Sequence, residues 1–174
     1  FCLLNDFAVA ANYVLNKGLA RQVLIIDLDV HQGNGTAAIF SSRPNVFTFS
    51  MHGRHNYPFH KETSDLDLPL EDGLDDTTYL SLLAEALQQL DKLVQPDFVF
   101  YLSGVDILET DKFGKLKVSV PGCRQRDEMV FKWVRAKNIP CVVAMGGGYS
   151  ADVKIITEAH CNTFRSAKSV FELW

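Results

Sequence analysis

The four cysteines, Cys2, Cys123, Cys141 and Cys161, include no CxxC pair. A disulfide framework or a thiolate zinc site is therefore not indicated, and scattered thiols suit a reducing cytoplasm. Apolar runs stop well short of the ~20 residues that cross a bilayer. No basic, apolar and small-residue leader pattern opens the chain at Phe1, so no membrane partner is expected. Basic runs are missing too. Lys+Arg of 17 against Asp+Glu of 21 leaves a formal charge of -4, with nothing to neutralise a string of phosphates, and nucleic acid is not an expected ligand. Gly33-Asn34-Gly35 is too short for a phosphate-cradling loop, and both GxGxxG and the P-loop lysine are absent. No GxSxG elbow appears and no cysteine has motif support as a nucleophile. What remains is ordinary globular material: 174 residues, 47% hydrophobic and 22% charged, without repeat or linker. That length buries roughly 70% of the unfolded surface, and a single domain over residues 1–174 is expected.

Apolar residues at helical spacing (Phe7, Ala10, Ala11, Val14, Leu15) predict a first helix that ends at Gly18. Val23 to Leu28 is a continuous apolar, β-branched run, as expected of a strand buried on both faces of a parallel sheet. A short helix around Thr36 to Phe40 and a strand over Val46 to Ser50 follow, and then no periodicity is sustained from about His52 to Asp75. Asp75 can cap a helix whose Tyr79, Leu83, Leu87, Leu90 and Val94 form one stripe. Phe98 to Leu102 is the next strand, a helix holding Val130, Trp133 and Val134 comes after it, and Cys141 to Met145 is the last strand. Strands alternating with helices predict a three-layer α/β fold, a parallel sheet with helices on both faces and ligands at the carboxyl ends of the strands.

Chemistry gathers at those ends. Period-two alternation sends Asp27, Asp29 and His31 to one side as the first strand runs out. Such groups are costly to bury unless paired or bound to a cation. An Asp cap with a satisfied core histidine is the equal alternative. Asp106, beyond the third strand, reads by itself as a cap or turn residue. Asp29, His31 and Asp106 together supply three hard or borderline ligands with positions left open for water and substrate. Gly146-Gly147-Gly148-Tyr149 ends the last strand, where glycines admit a close approach of backbone. A phenol beside a metal can donate to a developing oxyanion, and the alternative is a glycine turn with a packed ring. His52, His55, His60 and His160 are read as surface or satisfied residues.

These strand ends, in this order, resemble the metal-dependent histone deacetylase and acetylpolyamine amidohydrolase family. Phe1-Cys2-Leu3-Leu4-Asn5-Asp6 is similar to the family's Gly-Phe-Cys-x-x-Asn-Asp opening without its Gly, and Asp27-x-Asp29-x-His31 is similar to its metal motif. Gly104-x-Asp106 with Asp111 and Gly114 resembles its third-ligand loop, although Val105 stands where Ala is usual. Ser50-Met51-His52-Gly53 and Asn56-Tyr57-Pro58-Phe59 look more like bacterial and class IV-like members than class I enzymes. The resemblance implies an arginase-deacetylase type fold, with Asp29, His31 and Asp106 as ligands of Zn²⁺ (Fe²⁺ being the alternative) and Tyr149 as oxyanion donor. It implies an acyl-lysine channel with Phe1 facing Tyr57 and with Gly147 and Gly148 in its wall. Asp27 and Asn34 would orient a catalytic histidine pair, Asn34 replacing an Asp of class I as in class II. A structural K⁺ would be bound by oxygens around Asp27, Asp29, His31 and Ser50.

In this family the adjacent His-His pair lies upstream of Gly-Phe-Cys, and no such pair occurs in residues 1–174. The expectation is therefore a partial deacetylase catalytic domain, its N-terminal portion missing and inactive as it stands. It belongs to a zinc amidohydrolase acting on acetyl-lysine or an acetylated small amine. A non-enzymatic acyl-amine binding scaffold and a dinuclear manganese ureohydrolase are the alternatives. The sequence is silent on oligomeric state.

Overall fold

The computed structural model describes residues 4–172, so Phe1 and Cys2 of the opening motif lie outside the described residues. Helix α1 (Asp6–Asn16) begins at Asn5, whose side chain accepts from the Ala8 amide, and Gly18 beyond its end takes φ +67. Strand β1 (Val23–Asp27) is buried along its whole length. Helix α2 (Asn34–Phe40), strand β2 (Val46–Gly53) and strand β3 (Leu66–Leu70) follow, then helix α3 (Asp76–Leu93), capped by Asp75 as its sequence predicts. Strand β4 (Phe98–Gly104), helix α4 (Val120–Lys137), strand β5 (Cys141–Gly146) and helix α5 (Val153–Phe171) complete the order.

The strands form one parallel sheet in the order β3-β2-β1-β4-β5. Alternation along each strand divides the apolar residues between two faces. Leu24, Ile26, Val99 and Tyr101 join the larger core with α3, α4 and α5, whereas Val23, Ile25 and Phe100 pack with Phe7, Ala11 and Val14 of α1 and Phe40 of α2. The expected layering of helices on both faces is therefore present. Each fully buried Leu, Ile or Val side chain contributes about 1.5–3 kcal/mol, and β1 and β4 are both covered on two faces.

One expectation is corrected. The stretch from His52 to Asp75 is not all loop: β2 runs on to Gly53, and β3 pairs with it, Met51 opposite Leu68 and His52 opposite Pro69. Strand β3 is short and holds a proline, which cannot donate to a ladder and is tolerated at a sheet edge. Leu66, Leu68 and Leu70 keep the period of two, but over a run too short to be sustained. His52 lies not in a loop but in β2, and of its two readings, surface or satisfied, it meets the second: it is 2% exposed with Nδ1 3.0 Å from Ser50 Oγ. His55 and His60 are exposed and His160 is half-buried.

At the amino end of the sheet, Asp97 ties β1 to β4. Its carboxylate accepts from the Arg21 and Gln22 amides at 3.0 Å, and the Asp97 amide donates to Gln22 O at 2.9 Å. Partial burial opposes ionisation of Asp97, but the hydrogen bonds from Gln22 and Arg21 outweigh it and hold the carboxyl below its usual range. A carboxyl held low in the folded state stabilises above its unfolded pKa of about 4 and loses that contribution as pH falls through the lower folded value. Asp97→Asn is expected to cost about 1 kcal/mol at neutral pH. The difference should shrink toward pH 3, as read from urea midpoints at the two pH values. An undiminished difference in acid would show that the charge on Asp97 is immaterial.

Candidate metal centre

Strands β1 and β4 are neighbours in register, Asp27 opposite Leu102, and the Leu28 amide still donates to Leu102 O at 3.1 Å. Their loops therefore leave the sheet side by side at its carboxyl edge. There the backbone makes its own scaffold. Asp27 Oδ1 accepts from the Asp29 amide at 3.1 Å, Asp29 Oδ1 from the His31 amide at 2.8 Å, and Asp106 Oδ1 from the Val30 amide at 2.9 Å. Asp106 thus does not cap a helix; it reaches across from β4 to the loop after β1.

Three side chains converge as a result. His31 Nδ1 lies 3.0 Å from Asp29 Oδ1 and 3.1 Å from Asp106 Oδ2. One ligand atom from each of the three residues falls within 4.8 Å of the others. Asp106 is 1% exposed, Asp29 and His31 are half-buried, and Asp27 is buried beside them. The electrostatics follow from that crowding. Burial first, then the charge of Asp29, pushes the Asp27 carboxyl well above its ordinary range. Burial likewise raises Asp106 to about 6, and hydrogen bonds to Asp106 and Asp29 raise His31 to about 10. Nδ1 thus faces one oxygen of each carboxylate. Two carboxylates with one imidazole form a donor set suited to a divalent ion such as Zn²⁺ or Fe²⁺. The residues fit a metal.

The surroundings keep the point of convergence accessible and tightly built. A Cβ on Gly104 would lie 2.6 Å from Asp29 Cα, so this close approach of two loops requires glycine. Gly147 has φ +57, and a Cβ there would lie 2.2 Å from an Asp106 carboxylate oxygen. On the outer side, His31 and Tyr149 line one groove of about 320 Å³ with Tyr57, Phe59 and Phe113. The Tyr149 amide donates to Asp111 Oδ2 at 2.6 Å, and its ring meets Phe113 edge-on at a centroid distance of 5.2 Å. Asp111 Oδ1 accepts from the Phe113 and Gly114 amides at 2.8 Å, so one carboxylate shapes both walls.

The histone deacetylase domain family matches residues 1–164. The chain belongs to that family. It is 45% identical over 171 residues to an uncharacterised protein of Picosynechococcus sp., covering 98% of this chain and 57% of that protein. It is 34% identical over 169 residues to histone deacetylase 2 of Arabidopsis thaliana, covering 95% of this chain and 44% of that protein. The chain thus spans about half the length of the curated relatives it matches. Among solved structures, an acetylpolyamine aminohydrolase from Burkholderia pseudomallei superposes with a TM-score of 0.79 at 24% identity, over 97% of this chain and 51% of that one. A histone deacetylase homologue from Aquifex aeolicus also gives 0.79 at 24% identity, over 99% and 52%. The fold is the arginase-deacetylase type.

Within this deacetylase-family domain, most of the residues singled out from sequence stand together. Asp27, Asp29, His31, Gly33 and Asn34 line a second depression, where Ser50 lies in register opposite Asp27. Ser50 Oγ is 3.0 Å from His52 Nδ1, so His52 belongs to the underside of this site. Phe1 lies outside the described residues. Sequence reasoning missed Phe59, Phe113 and the buried Arg126–Asp127 pair of α4. The pair had a legible signal: with Cys123, Val130 and Val134 it falls on the buried stripe of its helix, where an ion pair is out of place.

If the three side chains hold a divalent ion, Asp106→Asn is expected to weaken its binding by more than about 10-fold, because a charged donor becomes neutral. Gly104→Ala, whose methyl would press on both the backbone and Oδ2 of Asp29, should weaken binding by about 10–100-fold. Zinc competition with a chromogenic chelator measures both, and wild-type affinity in Asp106→Asn would remove Asp106 from the ligand set.

Proposed function

We propose that this domain is the metal-binding part of a zinc-dependent amidohydrolase that removes the acetyl group from acetyl-lysine or an acetylated small amine. The observation that carries the reading is that His31 and Tyr149 open on the same aromatic groove, with Asp29 and Asp106 closing on His31 from behind. Relatives named histone deacetylase and acetylpolyamine aminohydrolase support the substrate class.

Zn²⁺ held by Asp29, His31 and Asp106 would supply Lewis acidity to an acetyl carbonyl and lower the pKa of water. The residues of the chain do the rest. Tyr57, Phe59 and Phe113 offer apolar walls to the methylene stem of an acylated amine and exclude water from it. Tyr149 donates its hydroxyl proton as a hydrogen bond to the carbonyl oxygen while that oxygen gains charge. Asp111 and Phe113 hold the tyrosine for that task through its amide and its ring. Proton transfer is assigned to the histidine pair that the family carries upstream, oriented by Asp27 and Asn34. The K⁺ proposal rests on oxygens around Asp27, Asp29, His31 and Ser50, where a cation would offset the crowding of Asp27 by burial and by Asp29.

Thiol chemistry finds little support. Burial pushes Cys123 up to about 11 and Cys141 up to about 12, which leaves both as thiols at neutral pH. Among the described residues no helix is long and apolar enough to cross a membrane.

Tyr149→Phe in the complete protein is expected to keep zinc while lowering kcat by about 10²–10³, the usual worth of one oxyanion donor. A fluorogenic acetyl-lysine assay at equal zinc occupancy reads this, and unchanged turnover would return Tyr149 to a packing role. In the same assay residues 1–174 alone should be inactive, since general acid–base groups contribute about 10²–10⁴-fold. Turnover comparable to that of the longer protein would make the histidine pair dispensable.

A further inference from the structure

Helix α4 carries an arginine with no exposed surface, Arg126, beside an equally buried Asp127. Apolar residues of similar volume would serve the packing of a helix on a sheet as well or better, because burying an ion pair costs much of what the pair returns. The direction in which the guanidinium points gives it a different use. Nη1 donates to Gly104 O at 2.6 Å and to Leu28 O at 3.3 Å. Leu28 immediately precedes Asp29, and Gly104 lies two residues before Asp106. The same two segments meet where a Cβ on Gly104 would lie 2.6 Å from Asp29 Cα.

The other side of the guanidinium is held just as firmly. Nε donates to Asp127 Oδ1 at 2.9 Å and Nη2 to Cys123 Sγ at 3.3 Å. Asp127 accepts from the Tyr101 hydroxyl at 2.5 Å and, through Oδ2, from Thr163 Oγ1 at 2.7 Å. One helix, one strand and α5 therefore fix the carboxylate, the carboxylate fixes the guanidinium, and the guanidinium fixes two backbone carbonyls.

We infer that Arg126 is a positioning residue for the metal centre, its Nη1 clamping the ends of β1 and β4 at the separation that lets Asp29 and Asp106 share one ion. The inference rests on the metal assignment made above. The planar fork reaches four acceptors on three sides at once, which the single ammonium of lysine cannot do. Charge and clamp can thus be separated.

The test uses Arg126→Lys and Thr163→Val in the complete protein. Thr163→Val removes one support of Asp127 and leaves both carbonyl bonds of Arg126 in place, so it controls for lost stability. Zinc dissociation constants come from chelator competition, and the visible spectrum of the Co²⁺-loaded protein reports ligand geometry apart from activity. Arg126→Lys is expected to weaken zinc binding by about 10–100-fold, as loss of an outer support does, and to alter the Co²⁺ bands. Thr163→Val should lower Tm but keep the wild-type spectrum and an affinity within about threefold, well below the outer-support range. A wild-type zinc constant and spectrum in Arg126→Lys would overturn the clamp, as would equal weakening in both variants. Where Arg126→Lys folds only with zinc, the ion is replacing the lost restraint and the inference stands. If it and Arg126→Gln both stay unfolded at saturating zinc, Arg126 serves the fold and not the site. Absence of zinc binding by the wild-type protein would instead overturn the metal assignment, and the clamp with it.

Discussion

The approach of two backbone segments at the carboxyl edge of the sheet governs everything around the site. Strands β1 and β4 are hydrogen-bonded neighbours, so their loops start in contact; the missing side chain of Gly104 lets that contact persist past the last ladder bond. Everything chemical is then short-ranged: the Val30 amide takes one oxygen of Asp106 while His31 takes the other. A pair of carboxylates this close repels unless something positive stands between them. Among the described residues, His31 is the cationic partner that stands between them.

Much of this was legible in the sequence because it is local. A buried five-residue strand followed by Asp-x-Asp-x-His, and another followed by Gly-x-Asp, state both the topology and the polar ends. Convergence between the two was not local, and residue types alone left Asp106 as a turn residue. Parallel register is what brings it 2.9 Å from the Val30 amide. Strand β3 escaped notice because its alternating Leu66, Leu68 and Leu70 span only five residues and enclose a proline, which argues against a strand. For the same reason the end of β2 reads as a loop, which leaves His52 as surface or satisfied with nothing to choose between the two.

Arg126 and Asp127 show another limit. Hydropathy reads adjacent opposite charges as a solvated helix face, yet the stripe of Cys123, Val130 and Val134 places both inward. The signal lay in the conflict between residue type and position, which is where functional constraint shows itself in an otherwise consistent sequence. Aromatic residues of the groove carry the weaker version of this conflict. Phe59 is 82% exposed and Phe113 59%, a large amount of apolar surface for rings that meet only Tyr57 and Tyr149 edge-on among the aromatic contacts of the described residues.

Among the described residues, β5 pairs with β4 alone, and along it Val142 and Met145 are exposed. A strand paired on one side, as β5 is among the described residues, presents amides and carbonyls that another extended segment can match. Two chains of this sequence meeting edge to edge would each complete the other's ladder without regard to the metal or the groove. Colloidal behaviour is thereby separated from the chemistry of the site. A polar substitution at Val142 would act on the first, and the carboxyl ends of β1 and β4, with α4 behind them, would not register it.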